Sequence, residues 1–511
     1  MLLAAGWYDR LWRSLFIVGA VAVLCGCGGG ETSVVAVPPV NPVPVAPESC
    51  QLPALPSKPA NVVNVQSFGA LPDDGLDDTL AIQTAINSLQ PGQWLVFPAG
   101  TYEHRTRLTV RTPGVVLWSE GATLRATNPD DMAVMLAADG ASIYNFTLTA
   151  VTISRLYAPW HARIAVYDET ERGTPLRDNV VQGNRVVNGG EPGTATANSA
   201  STAGIYVEYA DNFLVAGNEI KRSLADGIQV VRGARNGRVL FNTVRESGDD
   251  MIGLVSYIAS GDWTLESAAS EAANLERRRD RELVRNVVVA YNDVSGQYFG
   301  RGISVVGGAD ITISHNSISK TAEAAAILVA REASFLTWGV NNVLVEDNML
   351  SQVQTLTPAY TPTGWDASGG VTGHGGVEIH AFVLEDELGY GNLAEALKVQ
   401  NIRVNRTSIM DTLDAGVRVG VGTGESASYS ATRQDGSVVT RTLTGGTTGR
   451  IDLSDIAMSG IGGAPLQILA NTTNSDNVYC EGLTLNGLAT TSPACGGSRP
   501  LVSGALRSCS R

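Results

Sequence analysis

The stretch GNEIKRSLADGIQVVRGARNGRVLFNTV, residues 217–244, contains two turns of the repeat that decides the fold. Gly217-Asn218-Glu-Ile returns as Phe241-Asn242-Thr-Val, with Asn242 standing 24 positions after Asn218, and Gly227-Ile-Gln-Val lies between them. These segments alternate apolar and variable residues, which is the period of a half-buried strand. A unit of this length, built from short strands, predicts a solenoid whose successive coils stack on one another.

Both kinds of segment recur along the chain. The glycine-led strands are Gly204-Ile-Tyr-Val, Gly227-Ile-Gln-Val, Gly302-Ile-Ser-Val, Gly376-Val-Glu-Ile and Gly416-Val-Arg-Val, and the asparagines of the second series are Asn218, Asn242, Asn292, Asn316 and Asn348. Coils stacked about 4.8 Å apart would form parallel sheets, and asparagines at the bends could link their amides and accept left-handed backbone. We therefore predict an all-β fold, a right-handed parallel β-helix. A β-sandwich is disfavoured because hairpin turn dipeptides between the strands are lacking.

The segment before the repeats predicts a cap for the solenoid. VQSFGALPDDGLDDTLAIQTAI, residues 65–86, precedes WLVFPAGTY, residues 94–102. Asp77 or Asp78 can cap a helix. Its apolar stripe, Ile82, Ala85, Ile86 and Leu89, would close the open end of the core. This stretch resembles the first segment of the pectate-lyase-like β-helix superfamily, which holds polygalacturonases, rhamnogalacturonases, polysaccharide lyases, epimerases and phage tailspikes. The resemblance extends over about residues 61–420 and implies the fold more strongly than any one reaction.

Charge and composition exclude one class of partner. The 511 residues include 36 Lys and Arg against 50 Asp and Glu, which gives a formal net charge of −14. Binding to phosphates needs a basic surface, so nucleic acid is disfavoured as a partner. The same excess of charge favours a soluble surface, and we expect a monomer.

The first 27 residues predict a lipoprotein signal peptide. Two arginines precede an apolar run over residues 15–24 that is too short to span a membrane. The run ends in Leu24-Cys25-Gly26-Cys27, which resembles the bacterial lipobox, so Cys27 would become the lipidated first residue. Gly28 follows, and the resemblance implies an outer-membrane protein that is held by its lipid and faces the periplasm or the cell surface. An ordinary secretory signal cut nearby is the alternative.

The remainder of the chain divides into three parts. Residues 28–60 are rich in Gly, Pro and Val and predict an extended tether. Residues 61–490 are assigned to the β-helix and residues 491–511 to a C-terminal tail. An even number of cysteines after Cys27 suggests disulfides in an oxidising compartment. Cys480–Cys495 is favoured as a local pair and Cys50–Cys509 would tie the two ends together, but the sequence leaves the connectivity open.

Three insertions interrupt the coils. Residues 262–286 are charged and Ala-rich and predict a short helix on a long loop. Residues 355–375 are rich in Thr, Gly and Pro, and such loops usually wall a groove, which makes Trp365 a candidate for stacking on a sugar. Residues 425–449 predict a hairpin or a mobile loop.

Three acids stand one repeat apart. Asp226 precedes one glycine-led strand, and Asp249 and Asp250 precede the next. Alignment of the strands places Asp226, Asp250 and Arg301 in one column, with adjacent members roughly 5 Å apart. Clustered carboxylates cannot all ionise easily, so one pKa should rise and that group could protonate a leaving oxygen. Arg301 could keep a neighbour ionised or bind an anionic sugar, and a structural ion pair with Asp250 is the alternative.

The acids resemble those of polygalacturonase-type glycoside hydrolases, family 28. That family carries Asn-Thr-Asp-Gly, Asp-Asp, Gly-His-Gly and Arg-x-Lys on successive coils, and its three acids have counterparts in Asp226, Asp249 and Asp250. The resemblance implies a general acid and a base that activates water, with inversion at the sugar.

Two of the family's motifs are absent. Gly300-Arg301-Gly302 stands where that family has Gly-His-Gly, and the Arg-x-Lys position falls near Leu328 and Ala330. Arg331 is adjacent but in another phase, so the clamp for a substrate carboxylate is missing. These departures put galacturonan specificity in doubt.

A second polar constellation follows in His374-Gly-Gly-Val-Glu378-Ile-His380. Glu378 and His380 alternate with core residues and therefore share the outward face of a strand. They could bind substrate at a distal subsite, as could Arg331, or they could form a chance polar face. No Cys/His metal spacing occurs and no cofactor is expected, although an acidic column can bind Ca²⁺.

Three functions remain open at this point. The first is a polysaccharide hydrolase of the cell envelope that uses the three acids. The second is a polysaccharide lyase on the same scaffold, which would need a Lys, Arg or His base beside a uronate. The third is a non-catalytic glycan-binding protein or an accessory protein for exopolysaccharide export. The acids favour the hydrolase, and the missing motifs favour the third reading.

Overall fold

Three rows of short parallel strands wind around one apolar core and form a right-handed parallel β-helix. The computed structural model describes residues 48–49, 51–170, 172–190, 194, 196–258, 275–356, 373–384, 396–422, 425, 427–432, 438–470, 472–473, 475–490, 495–496, 506 and 509–510. The fold predicted from the repeat is confirmed.

Row A carries the candidate site, and each of its strands pairs in parallel with the corresponding strand of the next coil. Its strands are Leu108–Val110, Val134–Leu136, Ile164–Val166, Ala203–Glu208, Asp226–Val231, Ile252–Val255, Ile303–Val306, Ile327–Glu332, Gly375–Leu384, Ala415–Val419 and Leu466–Ile468. A hairpin of Ala427–Thr432 and Val438–Gly445 adds to Gly375–Leu384 in antiparallel fashion.

Rows B and C complete each coil. Row B comprises Val63–Asn64, Trp94–His104, Val116–Ala126, Ser142–Tyr144, Val180–Gln182, Leu214–Ala216, Arg238–Leu240, Arg285–Ala290, Gly308–Ser314, Val340–Glu346, Val399–Asn405, Ile451–Ser454 and Val478–Glu481. Row C comprises Thr147–Ala150, Arg185–Val186, Glu219–Lys221, Thr243–Arg245, Asp293–Ser295, Ser317–Ser319, Met349–Val353, Ser408–Thr412, Ala457–Ile461 and Thr484–Leu485, with Leu488–Ala489 antiparallel to the last. A separate parallel pair joins Leu176–Arg177 to Ala210–Asp211.

The core consists of aliphatic side chains that stack from coil to coil. In row A the first inward column is fully buried and consists of Ile205, Ile228, Ile252, Ile303 and Ile327. Each side chain packs on its counterpart one coil away, and burying a side chain of this size contributes about 1.5–3 kcal/mol. The register is fixed by this column, because a slip of one residue would turn the apolar side chains outward.

A buried asparagine ladder links the coils at the bend between rows B and C. Each amide Nδ2 donates to the Oδ1 of the next asparagine at 3.0–3.1 Å, along the series Asn184, Asn218, Asn242, Asn292, Asn316 and Asn348. The left-handed backbone lies one position earlier than expected, at the residue before each asparagine, with φ of 55° at Phe241 and 57° at His315. Phe241, Tyr291 and His315 stack on one another outside the ladder, so His315 has a structural role.

The α-helix Thr79–Ser88 covers the N-terminal end of the core. Its predicted stripe, Ile82, Ala85, Ile86 and Leu89, is buried. Asp77 supplies the capping carboxylate, since its Oδ1 accepts from the Thr79 amide at 3.0 Å. Asp78 instead accepts from the amides of Leu71 and Glu103.

The other helices are short. The α-helix Leu275–Glu282 lies within the predicted 262–286 insertion. The 3₁₀ helices are Val65–Phe68, Pro159–His161, Ala333–Phe335 and Ser475–Asn477. Within the described residues no helix has both the length and the apolar character needed to cross a membrane.

Residues 51–60, the last part of the predicted tether, lie against the solenoid. Leu52 and Leu55 pack over Gly217 and Gly183 on the bend that carries the ladder, and the Pro53 carbonyl accepts from Gln182 Nε2 at 2.5 Å. Because glycine leaves the surface free there, the leucines fill the place of the missing side chains.

Backbone pairing also joins the segment that precedes the β-helix to the C-terminal tail. Glu48–Ser49 pairs in parallel with Cys509–Ser510. Cys480 and Cys495, the pair favoured from the sequence, are disulfide-bonded with their Cα atoms 5.8 Å apart. Cys50 lies outside the described residues, as do the signal peptide with Cys27 and the candidate stacking residue Trp365.

Candidate active site

The register of row A brings the predicted acids together. Ile228 pairs with Ile252, and Ile252 pairs with Ile303. The residues two positions before these isoleucines, Asp226, Asp250 and Arg301, therefore occupy equivalent places on successive coils. Asp249 stands beside this column at the end of the same bend.

The three carboxylates form one cluster. Asp226, Asp249 and Asp250 each offer an oxygen that lies within 4.8 Å of the other two. Asp226 and Asp250 are buried, with 5% and 6% of their surface exposed, and Asp249 is half-buried. A side chain at Gly300 would overlap with Asp249, so the third coil has to leave this position empty.

Arg155 is a member of the site that the sequence analysis missed. Its Nη2 lies 2.5 Å from Asp249 Oδ2. The loop that carries Arg155 is held by the coil before Asp226, where Ser201 Oγ donates to the Ser154 carbonyl and accepts from the Leu156 amide. Asp249 therefore has a direct counter-charge supplied from a distant part of the chain.

Arg301 and Ser304 hold Asp250. The Arg301 backbone N–H donates to Asp250 Oδ1 at 2.7 Å, and Ser304 Oγ donates to Oδ2 at 2.5 Å. The Arg301 guanidinium lies 4.0 Å from Asp250 Oδ1 and forms an ion pair with Glu332, which is also buried. Glu332 could not be identified from the sequence. Because the Arg301 guanidinium pairs with Glu332, its positive charge is already neutralised within the protein.

Burial and mutual repulsion change the acidity of the cluster. Burial, with the nearby charges of Asp249 and Asp250, raises the pKa of Asp226 well above its usual value, although Arg155 opposes the change. Burial also raises the pKa of Asp250 to about 6, against the opposing effects of Arg301 and Ser304. The site therefore favours the protonated form of Asp226 and lets Asp250 change charge near neutral pH, which suits general acid–base catalysis.

Comparison with known proteins agrees with this architecture. Residues 62–128 match the family model described as rhamnogalacturonase A/epimerase, pectate lyase-like, and residues 138–348 match the model described as right-handed β-helix region. The chain therefore has the fold of a right-handed parallel β-helix, and its first segment is similar to the pectate-lyase-like model. No curated protein sequence matches it significantly.

Solved structures share the fold of this β-helix at low sequence identity. The Agl-KA catalytic domain superposes with a TM-score of 0.54 at 17% identity, over 86% of this chain and 69% of its own. The catalytic unit of a GH87 alpha-1,3-glucanase from Streptomyces thermodiastaticus gives 0.52 at 16%, over 85% and 70%. The A-module of the Azotobacter vinelandii mannuronan C-5 epimerase AlgE6 gives 0.52 at 14%, over 84% and 100%. At these identities the likeness is one of fold.

The second constellation of this β-helix is a buried ionic cluster further along row A. Glu378, which is 1% exposed, accepts from His380 Nδ1 at 2.7 Å and from Arg418 Nη1 at 3.1 Å, and it also pairs with His374. Burial alone would raise the pKa of Glu378, but the two histidines hold it well below its usual value. Glu378 lies two coils beyond Ser304, on the same outward column of the sheet.

The remaining predicted binding residues lie elsewhere. Leu328 and Ala330, at the positions of the missing Arg-x-Lys motif, are fully buried and apolar. Arg331 is also fully buried, and its guanidinium donates to the carbonyl oxygens of Thr337 and Phe382. It supports the turn after its strand and has no surface to offer a polysaccharide.

Exposed aromatic rings lie on segments that border the acids. Tyr157 is 39% exposed and lies 5.3 Å from the Arg155 guanidinium. Phe299 is 38% exposed, and its amide donates to the Gly248 carbonyl, next to Asp249. Such rings can stack on sugar faces on either side of a cleavage point.

Proposed function

We propose that this chain hydrolyses a polysaccharide and that Asp226, Asp249 and Asp250 are its acid–base centre. The observation that carries the proposal is the convergence of three carboxylates within 4.8 Å of one another, on adjacent coils of one sheet. Two of them have raised pKa values and the third faces an arginine. Cleavage of a glycosidic bond requires one protonated and one ionised carboxyl group, and this arrangement provides both.

The environments suggest a role for each acid. Asp226 is the general acid, because its raised pKa keeps it protonated near neutral pH. Asp249 is the partner that activates water, since Arg155 lies against it and supplies a counter-charge. Asp250 accepts two short hydrogen bonds, and burial raises its pKa to about 6, so it is a second acid that changes charge near neutral pH.

Inversion is the proposed stereochemical course. The oxygens within 4.8 Å lie nearer to the ~5–5.5 Å carboxyl spacing of retaining enzymes than to the ~6.5–9.5 Å of inverting ones. That rule, however, concerns a pair of carboxylates, whereas here a third acid is available to hold the attacking water. Proton NMR of the first product formed tests this, and a retained anomer would contradict it.

Known relatives of the fold support a polysaccharide as the partner. The structures compared above include an alpha-1,3-glucanase and a mannuronan epimerase, and another GH87 alpha-1,3-glucanase structure, at 15% identity, holds tetrasaccharides in an Asp-to-Ala variant. A lyase or an epimerase would need a cation to neutralise a uronate. Arg301 is paired with Glu332, so the described residues favour hydrolysis.

Catalysis without a metal fits the cluster best. Ca²⁺ takes six to eight oxygen ligands, whereas each acid of the cluster brings one oxygen within 4.8 Å of the others. Arg155 and Arg301 already supply positive charge to the acids, and a protonated Asp226 is a poor ligand.

We further propose that the enzyme acts at the outer membrane, tethered through a lipid on Cys27. The lipobox-like Leu24-Cys25-Gly26-Cys27 supports this placement.

The enzymatic proposal is tested by assaying neutral and acidic polysaccharides for new reducing ends and for the C=C absorbance of a lyase. New C=C absorbance that persists when the three acids are replaced would favour a lyase. Binding of a polysaccharide without cleavage would favour a glycan-binding protein.

A further inference from the structure

We infer that the cleavage site accepts an uncharged sugar unit and that Gln229 is the residue that recognises it. This inference rests on the proposed function and names its substrate class. It concerns the outward face of row A directly beside the acids.

The cleavage site contains more acidic than basic groups among the described residues. Within the part of the chain that the structure describes, the group of Asp226, Asp249, Asp250 and Glu332 forms ion pairs with two cations, Arg155 and Arg301. Both arginines are engaged by these acids. A uronate carboxylate placed on the cluster would therefore meet an excess of negative charge, and repulsion between like charges in a partly buried site is strong.

The sheet between the acids has an open position on its outward face. The outward position at residue 253 has no side chain. A Cβ at Gly253 would stand 3.4 Å from both Asp226 Oδ2 and Asp250 Oδ2. The carboxylates of Asp226 and Asp250 thus border the same open position on the sheet. The side chains on either side of Gly253 in its column are those of Gln229 and Ser304.

Gln229 and Ser304, which flank Gly253, differ in their hydrogen bonding within the protein. Gln229 projects outward, because Ile228 and Val230 on either side of it belong to the core. It is half-buried, and within the described residues its amide has no hydrogen-bond partner, whereas Ser304 is already bonded to Asp250. A free amide can both donate to and accept from sugar hydroxyl groups, and it carries no charge to pair with a carboxylate.

The same column provides a matched control. It continues through Ser304, Leu328, Glu378 and Arg418 to Gln467, which is also a half-buried glutamine. Gln467 lies six coils beyond Gln229, roughly 29 Å away at about 4.8 Å per coil. Loss of its amide leaves the acids untouched.

The test compares one polymer in two charge states. Neutral α- and β-linked glucans are offered to the wild-type protein, together with the same glucans oxidised at C6 to uronic acids. We expect cleavage of a neutral glucan, and a kcat/KM at least about tenfold lower on its oxidised form. Gln229→Ala should lower kcat/KM on the neutral glucan by up to about tenfold, as expected for a lost hydrogen bond, and Gln467→Ala should leave it unchanged.

The outcomes separate this inference from the proposed function. If the wild type prefers the oxidised polymer and Asp250→Asn abolishes that cleavage, the acids are catalytic but the substrate class is wrong. If the Asn variants of all three acids cleave at the wild-type rate, the proposed function fails and the inference fails with it. Binding gives an independent readout. In affinity gel electrophoresis the neutral polymer should slow the migration of the Asp226→Asn variant, and the salt concentration should not change this effect. Tighter, salt-sensitive binding to the oxidised polymer would overturn the inference.

Discussion

Replacement of Arg155 by methionine should shift the pH dependence of catalysis upward. The guanidinium lies 2.5 Å from Asp249 and opposes the rise in the pKa of Asp226. A positive charge favours the ionised form of a carboxyl group, so its removal raises the apparent pKa values of the coupled acids. The ionised partner then forms only at higher pH, and the protonated acid persists to higher pH.

The size of this shift follows from the contact. A charge of opposite sign close to a carboxyl group lowers its pKa by about 1–3 units. The Arg155 side chain is 28% exposed and partly screened by water, so its loss should raise the apparent pKa of Asp226 by the lower part of that range, about 1–2 units. We expect both limbs of the bell-shaped profile to move upward by that amount, so that activity well below the lower apparent pKa of the wild type falls by roughly ten- to a hundredfold.

The assay is kcat/KM measured from pH 4 to pH 9 on a polysaccharide that the wild type cleaves. Arg185→Met is the matched control, because Arg185 forms an exposed ion pair with Glu219 on row C, away from the acids. Its profile should coincide with that of the wild type. An unshifted acidic limb in Arg155→Met would refute the assignment of Arg155 to the catalytic cluster.

Three further predictions concern the asparagine ladder, metal-free hydrolysis and the lipid anchor. Asn242→Ala should lower the free energy of unfolding by about 2–4 kcal/mol in chemical denaturation, because the Asn242 amide makes four hydrogen bonds of 3.0 Å in the ladder, whereas Asn341→Ala, on an exposed contact with Asn401, should cost far less. Hydrolysis should survive dialysis against EDTA, and restoration of lost activity by Ca²⁺ would contradict the metal-free mechanism. Cys27→Ala should move the protein from the membrane fraction to the soluble fraction, and a variant that still sediments with membranes after a salt wash would disprove the lipid anchor.

The repeat could be predicted from the sequence because its signals are local and in phase. Each glycine-led strand carries its own inward Ile or Val, and each asparagine stands at the same bend. Their stacking therefore follows from the period of the chain alone. The column of Asp226, Asp250 and Arg301 could be predicted for the same reason, since it needs only the alignment of adjacent coils.

The partners of the acids could not be predicted in this way. Arg155 reaches Asp249 across 94 residues from a loop without a repeat, so no periodicity points to it. Glu332 lies at the far end of its strand, and its pairing with Arg301 depends on the direction of a long side chain. Arg331 was misjudged because sequence phase does not reveal that its guanidinium is enclosed by carbonyl groups.

The termini show the same limit. The Pro-rich composition of residues 28–60 predicts an extended tether but does not reveal that Leu52 and Leu55 lie over Gly217 and Gly183 of the solenoid. A composition rule describes a segment by itself and carries no information about the surface beside it.

The central claim is that three aspartates cleave a polysaccharide, and single Asp-to-Asn variants test it most directly. Initial rates of reducing-end release are compared for the wild type and for Asp226→Asn, Asp249→Asn and Asp250→Asn. Asp293→Asn serves as the control, because Asp293 forms an ion pair with Arg245 on row C. Circular dichroism verifies folding, which should survive because loss of one crowded charge relieves repulsion. We expect each of the three variants to lose about 10²–10⁴ in rate while the control retains full activity. Wild-type rates in all three would place the catalytic centre elsewhere on the solenoid.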